Sequence, residues 1–252
     1  MESFKDGREF LKAYAWEKHR TFESDQRKGV SMPPVQKPAA EGATLVSLVD
    51  PESLSVGNTP VLQIIRQRRS RRSFTDESIS LEELSYLLWA TQGLRDPYVA
   101  GRPSFRTVPS AGARHPFETY LSIHRVDGVQ PGLYRYLPLD HKLCLLRVDD
   151  QLPEKVSDAC YGQTFVGKGA VVFIWTVIPY RTEWRYGPVS HKVIALDAGH
   201  VCQNLYIAAE SVGCGTCAIG AYNQTKMDAV VGVDGVDEFT IYAAPVGRLS
   251  LG

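Results

Sequence analysis

The stretch TYLSIHRVDGVQPGLYRYLPLDHKLCLLRV, residues 119–148, decides the fold class. Three runs rich in Leu, Ile, Val and Tyr (119–126, 133–137 and 143–148) are broken by turn signals at Asp127-Gly128 and Asp140-His141. Short runs joined by turns, with no helix between them, pair as antiparallel hairpins. Helical patterns lie on either side. Upstream, Ser80-Leu81-Glu82-Glu83 is a capping box that opens a helix through Leu84, Leu87, Leu88 and Trp89 and stops at Gly93. Downstream, 152–161 reads as a helix and the apolar run 170–178 as a buried central strand. Ile194, Ala198, Val201, Leu205, Ala208 and Val212 then recur at helical spacing as far as Gly213. A short segment at 215–219, a helix near 225–231 and a strand at 239–246 complete the chain. Hairpins mixed with helices indicate α+β, not a doubly wound sheet.

The first 58 residues differ in character from the rest. Residues 1–20 suggest a short amphipathic helix with Phe4, Phe10, Leu11, Tyr14 and Trp16 as its apolar surface. Residues 21–58 are polar, contain Pro33, Pro34, Pro38 and Pro51, and read as an extended arm lying on its own domain or on a partner subunit. The expected division is therefore an N-terminal helix and arm, 1–58, and one domain, 59–252. The longest apolar run is far shorter than the roughly 20 residues a membrane helix requires. No signal-peptide pattern opens the chain, and its five cysteines follow no disulfide-framework spacing. Free thiols in a reducing cytoplasm, with no membrane partner, are the expectation.

The chain carries 28 basic and 28 acidic residues, so a local knot of charge stands out. Arg66, Arg68, Arg69, Arg71 and Arg72 fall within seven residues, with Ser70 among them. They close a short helix introduced by Asn58-Thr59-Pro60, where the helix dipole favours cations but does not require five. Guanidinium forks around a hydroxyl suit a phosphate monoester; a solvated face or a nucleic-acid patch are the alternatives. Zero net charge and the lack of a flanking RNA-stacking motif argue against nucleic acid.

Other motifs fail on context. Gly213 to Ala218 matches a dinucleotide fingerprint in form, but it follows a helix where the fingerprint must follow a strand. The Cys214-Gly215-Thr216-Cys217 dithiol spacing lacks a second pair for zinc, and no histidine pattern suggests a metal. His200 reads as a core or interface histidine. Two segments complement the arginines: Pro109-Ser110-Ala111-Gly112-Ala113-Arg114-His115-Pro116, and Cys217-Ala218-Ile219-Gly220-Ala221-Tyr222, with Arg248 near the end of the chain. Small residues that let backbone approach a flat ring, plus arginines for a phosphate, describe a mononucleotide cofactor site.

These motifs, with Leu-Leu-Trp-Ala-Thr-Gln-Gly at 87–93 and Asp-Ala-Gly-His-Val-Cys-Gln-Asn-Leu at 197–205, resemble the FMN-dependent nitroreductase superfamily, and within it the SagB-type branch that includes azoline dehydrogenases. The resemblance covers roughly residues 55–250 in order. It implies a mixed, largely antiparallel sheet flanked by helices, in an intertwined homodimer. It further implies that Arg68, Arg69, Ser70 and Arg72 hold the FMN phosphate and ribityl chain, with Arg248 as a further phosphate ligand. Pro109, Ser110, Ala111 and Gly112 would contact the isoalloxazine from the other subunit. Ala218, Ile219 and Gly220 would face the ring, the Gly220 N–H donating to flavin N5, and Gln92 is a candidate flavin contact. Arg71 reads as a rim arginine satisfied by a carboxylate.

One departure bears on function. SagB-type azoline dehydrogenases carry a Lys-Tyr pair where this chain has Arg185-Tyr186. A lysine can be desolvated into a base, whereas an arginine stays protonated. Arg185 is then a binder of substrate carboxylate or phosphate, with Tyr186 beside it as the retained catalytic candidate. The leading expectation is an FMN oxidoreductase passing hydride from NAD(P)H to a nitroaromatic or quinone. The alternatives are a dehydrogenase of peptide thiazolines or oxazolines, and a non-catalytic FMN-binding scaffold.

Overall fold

The hairpins form the centre of the molecule. In a computed structural model that describes residues 4–250, strand β2 (Phe117–Ile123) lies between β3 (Gly132–Leu137) and β5 (Val171–Val177). On one side β4 (Lys142–Arg147) pairs with β3, and β1 (Leu45–Ser47) adds the edge. On the other, β7 (Phe239–Arg248) pairs with β5, and β6 (Cys214–Thr216) closes the order β1-β4-β3-β2-β5-β7-β6. Every ladder of this sheet is antiparallel.

β2, β3 and β5 are buried along their whole length, so their sequences read as continuous apolar runs without alternation. Successive side chains still serve opposite faces. Phe173 and Trp175 face a core built with Leu84, Leu87 and Leu88 of helix α4 (Leu81–Gln92) and Val201 and Leu205 of helix α8 (Ser190–Ser211). Val172 and Ile174 face the opposite core, with Leu152 and Val156 of α5 (Leu152–Ala159) and Met227 of α9 (Gln224–Val231). Each fully buried Leu or Ile contributes about 1.5–3 kcal/mol. Helices on both faces make the sheet the middle layer.

The capping box forms as expected: Ser80 Oγ accepts from the Glu83 N–H and Glu83 Oε2 accepts from the Ser80 N–H. Helix α3 (Val61–Gln67) begins differently from expectation. Pro60 occupies its N-cap and no side chain caps it; Asn58 and Thr59 instead donate to the Ser55 and Ser211 carbonyls. The single helix expected over 1–20 is two, α1 (Lys5–Leu11) and α2 (Ala15–His19), because Lys12 is extended; residues 1–3 lie outside the described residues.

The arm over 21–58 lies on its own domain. Besides supplying β1, it places the Lys37 N–H 2.8 Å from Glu118 Oε1 and the Lys37 ammonium 2.5 Å from Glu238. Arg106 and Arg135 reach back to the Val35 and Pro38 carbonyls. Polar composition made the segment read as loop; its bonds to buried carboxylates give it a fixed course. Two short helices had no clear sequence signal: α6 (Thr164–Gly167) and α7 (Tyr180–Tyr186).

Candidate active site

Helix α8 organises the site. On one of its faces the Tyr206 hydroxyl lies 3.1 Å from Ser70 Oγ and accepts from the Ala218 N–H at 2.8 Å. The arginine run reaches this point because the chain leaves α3 extended and runs beside β6. Ser70 bridges Thr216 in parallel, and the Arg71 N–H donates to the Thr216 carbonyl at 2.9 Å. One hydroxyl thus joins the segment expected to hold a phosphate to the segment expected to face a ring.

The five arginines have different fates. Arg71 bonds Glu210 at 3.0 Å, so its expected carboxylate is found. Arg69 turns its guanidinium onto the carbonyls of Arg66, Gln67 and Arg68, satisfying the C-terminal end of α3. All three bonds come from one terminal nitrogen, Nη1, so Nε and Nη2 keep no acceptor among the described residues. Arg68 lies over the Tyr206 ring, 5.3 Å from its centroid, and Arg72 over Phe165 at 6.0 Å. Among the described residues, neither has a carboxylate partner.

At 218–220 the backbone is fixed and then opens. Ile219 exchanges both backbone bonds with Ala243, at 2.7 and 3.2 Å. Gly220, next in sequence, is exposed, and a Cβ there would meet nothing within 4 Å. Its N–H has no acceptor among the described residues.

The segment 109–112 docks elsewhere on α8. Asp197 accepts from Ser110 Oγ at 2.6 Å and from the Ala111 N–H at 3.1 Å. Burial raises the Asp197 pKa, opposed by these two donors. Asp197 and Tyr206 are nine residues apart, about two and a half turns, and so face opposite sides of the helix. Within one chain, α8 separates 109–112 from Ser70 and Ala218. Gly112 takes φ 58°, and a Cβ there would stand 2.6 Å from the Tyr186 hydroxyl and 2.9 Å from Arg185 Nε. Arg185 and Tyr186 occupy the last turn of α7 and so meet the 109–112 segment, as the sequence could not tell. Trp16 and His19 of α2 pack on the Tyr186 ring, both with centroids at 5.9 Å.

Two expected site residues stand apart from these groups. The Arg248 fork is closed on Glu83 at 2.9 and 2.7 Å, with further bonds to the Val212 and Ser78 carbonyls, so it ties the last strand to α4 and both its terminal nitrogens are taken. The Glu83 bond is the leading cause of its raised pKa. Gln92 is 1% exposed and accepts from Arg106 at 2.7 Å, which puts it in the interior of the single chain. His200, read as a core or interface histidine, is half exposed, with Nδ1 3.9 Å from Asp197 Oδ1. Sequence reading missed Tyr206, Asp197 and Arg114. Asp197 and Arg114 lie within quoted motifs and Tyr206 next to one, but only their contacts set them apart.

The sequence model of the nitroreductase family matches residues 65–248. A protein of Methanocaldococcus jannaschii described as a nitroreductase is 32% identical over 185 residues, 73% of this chain and 89% of its own length. The trifolitoxin-processing protein TfxB of Rhizobium leguminosarum bv. trifolii is 26% identical over 60% of this chain, which spans only 42% of that protein. Among solved structures, a Ralstonia eutropha protein described as a nitroreductase superposes with a TM-score of 0.68 at 25% identity, over 88% of this chain and 98% of its own. The Escherichia coli microcin synthetase complex McbBCD contains a chain with the same fold, at a TM-score of 0.60 and 18% identity, over 98% of this chain and 97% of that one.

Proposed function

The chain belongs to the nitroreductase family, and from that premise we propose that it is an FMN-dependent oxidoreductase taking hydride from NAD(P)H and passing it to a nitroaromatic or quinone. The observation that carries this reading is the junction at Tyr206. Its hydroxyl holds Ser70, with the unpaired Arg68 guanidinium alongside, and the Ala218 N–H. Two residues on, Gly220 offers an open N–H.

These groups fit FMN. Arg68, Ser70 and Arg72 would hold the phosphate; Ala218, Ile219 and Gly220 would lie against the ring, the Gly220 N–H directed to N5. FMN would supply the hydride-accepting and hydride-donating atom. Arg69 keeps Nε and Nη2 for the same group, whereas Arg248 leaves the phosphate set, since both its terminal nitrogens bond Glu83. The 109–112 segment reaches a flavin on the far side of α8, which on this reading belongs to a second copy of the chain. The exposed Val61, Leu62, Ile65 and Leu196 supply an apolar face for that copy. A buried His115 and a well-bonded Asp197 leave the site without a free acid–base pair, in keeping with hydride transfer. Among the described residues no helix is long and apolar enough to cross a membrane, and a cytoplasmic location is part of the proposal.

The similarity to a trifolitoxin-processing protein favours a second reading, dehydrogenation of a peptide thiazoline or oxazoline. Arg185 in place of a lysine counts against it, because a guanidinium cannot serve as the base. Anaerobic titration decides between them. Loss of the flavin absorbance on adding NADH or NADPH, restored by a nitroaromatic or quinone with parallel-line kinetics, supports the first. Reduction by a peptide azoline and never by a nicotinamide replaces it with the second. A colourless protein that takes up no FMN overturns both.

A further inference from the structure

We infer that Arg114 and Arg185 form a two-guanidinium seat for an anionic group, a carboxylate or a phosphate monoester, on the molecule that enters beside Gly112 and Tyr186. The inference rests on the proposed function for which molecule that is, but the seat itself stands on the geometry.

Arg114 is only 4% exposed, lies 5.2 Å above the Trp184 ring, and donates through Nε to the Gly112 carbonyl at 3.0 Å. Its two terminal nitrogens have no acceptor among the described residues. Arg185 is half-buried, 5.4 Å from the Tyr186 ring, and likewise has neither a hydrogen bond nor an ion pair among those residues. Both converge on Gly112, whose missing Cβ leaves room for Arg185 Nε and the Tyr186 hydroxyl. Burial, then the nearby Arg185 charge, lowers the pKa of Arg114.

Among the described residues no carboxylate pairs with either guanidinium. Glu118 is held by Arg181 at 2.5 Å, Glu183 by His191 at 3.0 Å, and Asp197 by Ser110 and Ala111. By contrast, Arg71, Arg181 and Arg248 each have a carboxylate. Two guanidiniums kept close, stacked on aromatic rings and left unpaired are poorly satisfied alone and well satisfied by a shared anion. The Trp184 and Tyr186 rings hold the two guanidiniums against aromatic surfaces, at 5.2 and 5.4 Å.

Calorimetric titration of the chain with its bound cofactor tests this, using benzoate, phenyl phosphate and the uncharged benzamide. At least one anion is expected to bind tenfold or more tightly than benzamide. The stronger of the two identifies the source: an acceptor carboxylate, or the phosphate of a coenzyme. Arg185→Gln should erase the preference, and Arg185→Lys should keep most of it. Arg114→Gln should also erase it, provided its melting curve shows a folded protein. Equal affinity for all three probes, or a preference that survives Arg185→Gln, overturns the seat. Flavin content is read separately: a protein without flavin counts against the proposed function, while the anion preference is measured either way.

Discussion

Asp197 and Tyr206 project from opposite sides of the same helix, and each anchors a different half of the expected flavin pocket. Asp197 fixes the 109–112 segment, and Tyr206 fixes Ser70 and Ala218. The helix stands between them, so one chain cannot close both halves around one ring. On the proposed arrangement, a pair of chains related by a twofold axis would, each lending its 109–112 segment to the other.

The first prediction is therefore an obligate homodimer with two FMN sites. An interface of this kind buries about 2,000–5,000 Å². Charging the exposed apolar face with Leu62→Glu and Ile65→Glu should yield monomers that release FMN, both read by light scattering with absorbance detection. A monomer that keeps stoichiometric FMN refutes the two-chain pocket.

Arg68 and Arg248 should separate cleanly as cofactor-binding and structural arginines. Arg68→Ala removes an unpaired guanidinium, and a charged hydrogen bond is worth about 1.5–3 kcal/mol. FMN retention should fall at least tenfold with little change in melting temperature, and riboflavin should bind the wild type poorly. Arg248→Ala leaves Glu83 without its partner and should lower stability by about 1–3 kcal/mol, discounted for its partial exposure. Equal affinity for FMN and riboflavin would sink the phosphate assignment.

Gly112→Ala should disturb the contact with α7. The new Cβ would stand 2.6 Å from the Tyr186 hydroxyl, and φ of 58° is unfavourable for alanine. A loss of about 1–3 kcal/mol is expected in urea unfolding. A fully stable variant would mean that Arg185 and Tyr186 move aside freely.

Acid should destabilise the fold through His115. Burial, with Arg106 and Arg114 nearby, lowers its pKa from 6.5 to about 2. The folded chain holds it neutral, while the unfolded chain protonates it below about 6.5. The unfolded state therefore binds more protons, and stability falls as pH drops through 6.5 toward 2, by up to ~1.4 kcal/mol per pH unit. Urea midpoints at pH 7 and pH 5 measure this. His115→Gln should flatten the difference, and an unchanged slope would assign it to other groups, such as His124, lowered to about 4 chiefly by burial.

Local signals made much of this legible. The runs at 119–148 became β2, β3 and β4, because apolar strands and turn residues act over a few neighbours. The Ser80–Glu83 box formed, because both its bonds span three residues. The long helix was plain from its spacing, although its N-cap is Val189, with no side-chain capping bond, and not the serine that follows it.

Sequence alone determined the α+β fold and the motifs that read as a mononucleotide site. Tertiary structure decided which charges remain available. Arg68 and Arg248 are the same side chain at two plausible positions, yet Glu83, 165 residues away in sequence, closes the fork of one while the other lies unpaired over Tyr206. Periodicity and capping are written in neighbouring residues. Whether a guanidinium is already satisfied depends on a carboxylate that only folding brings within about 3 Å.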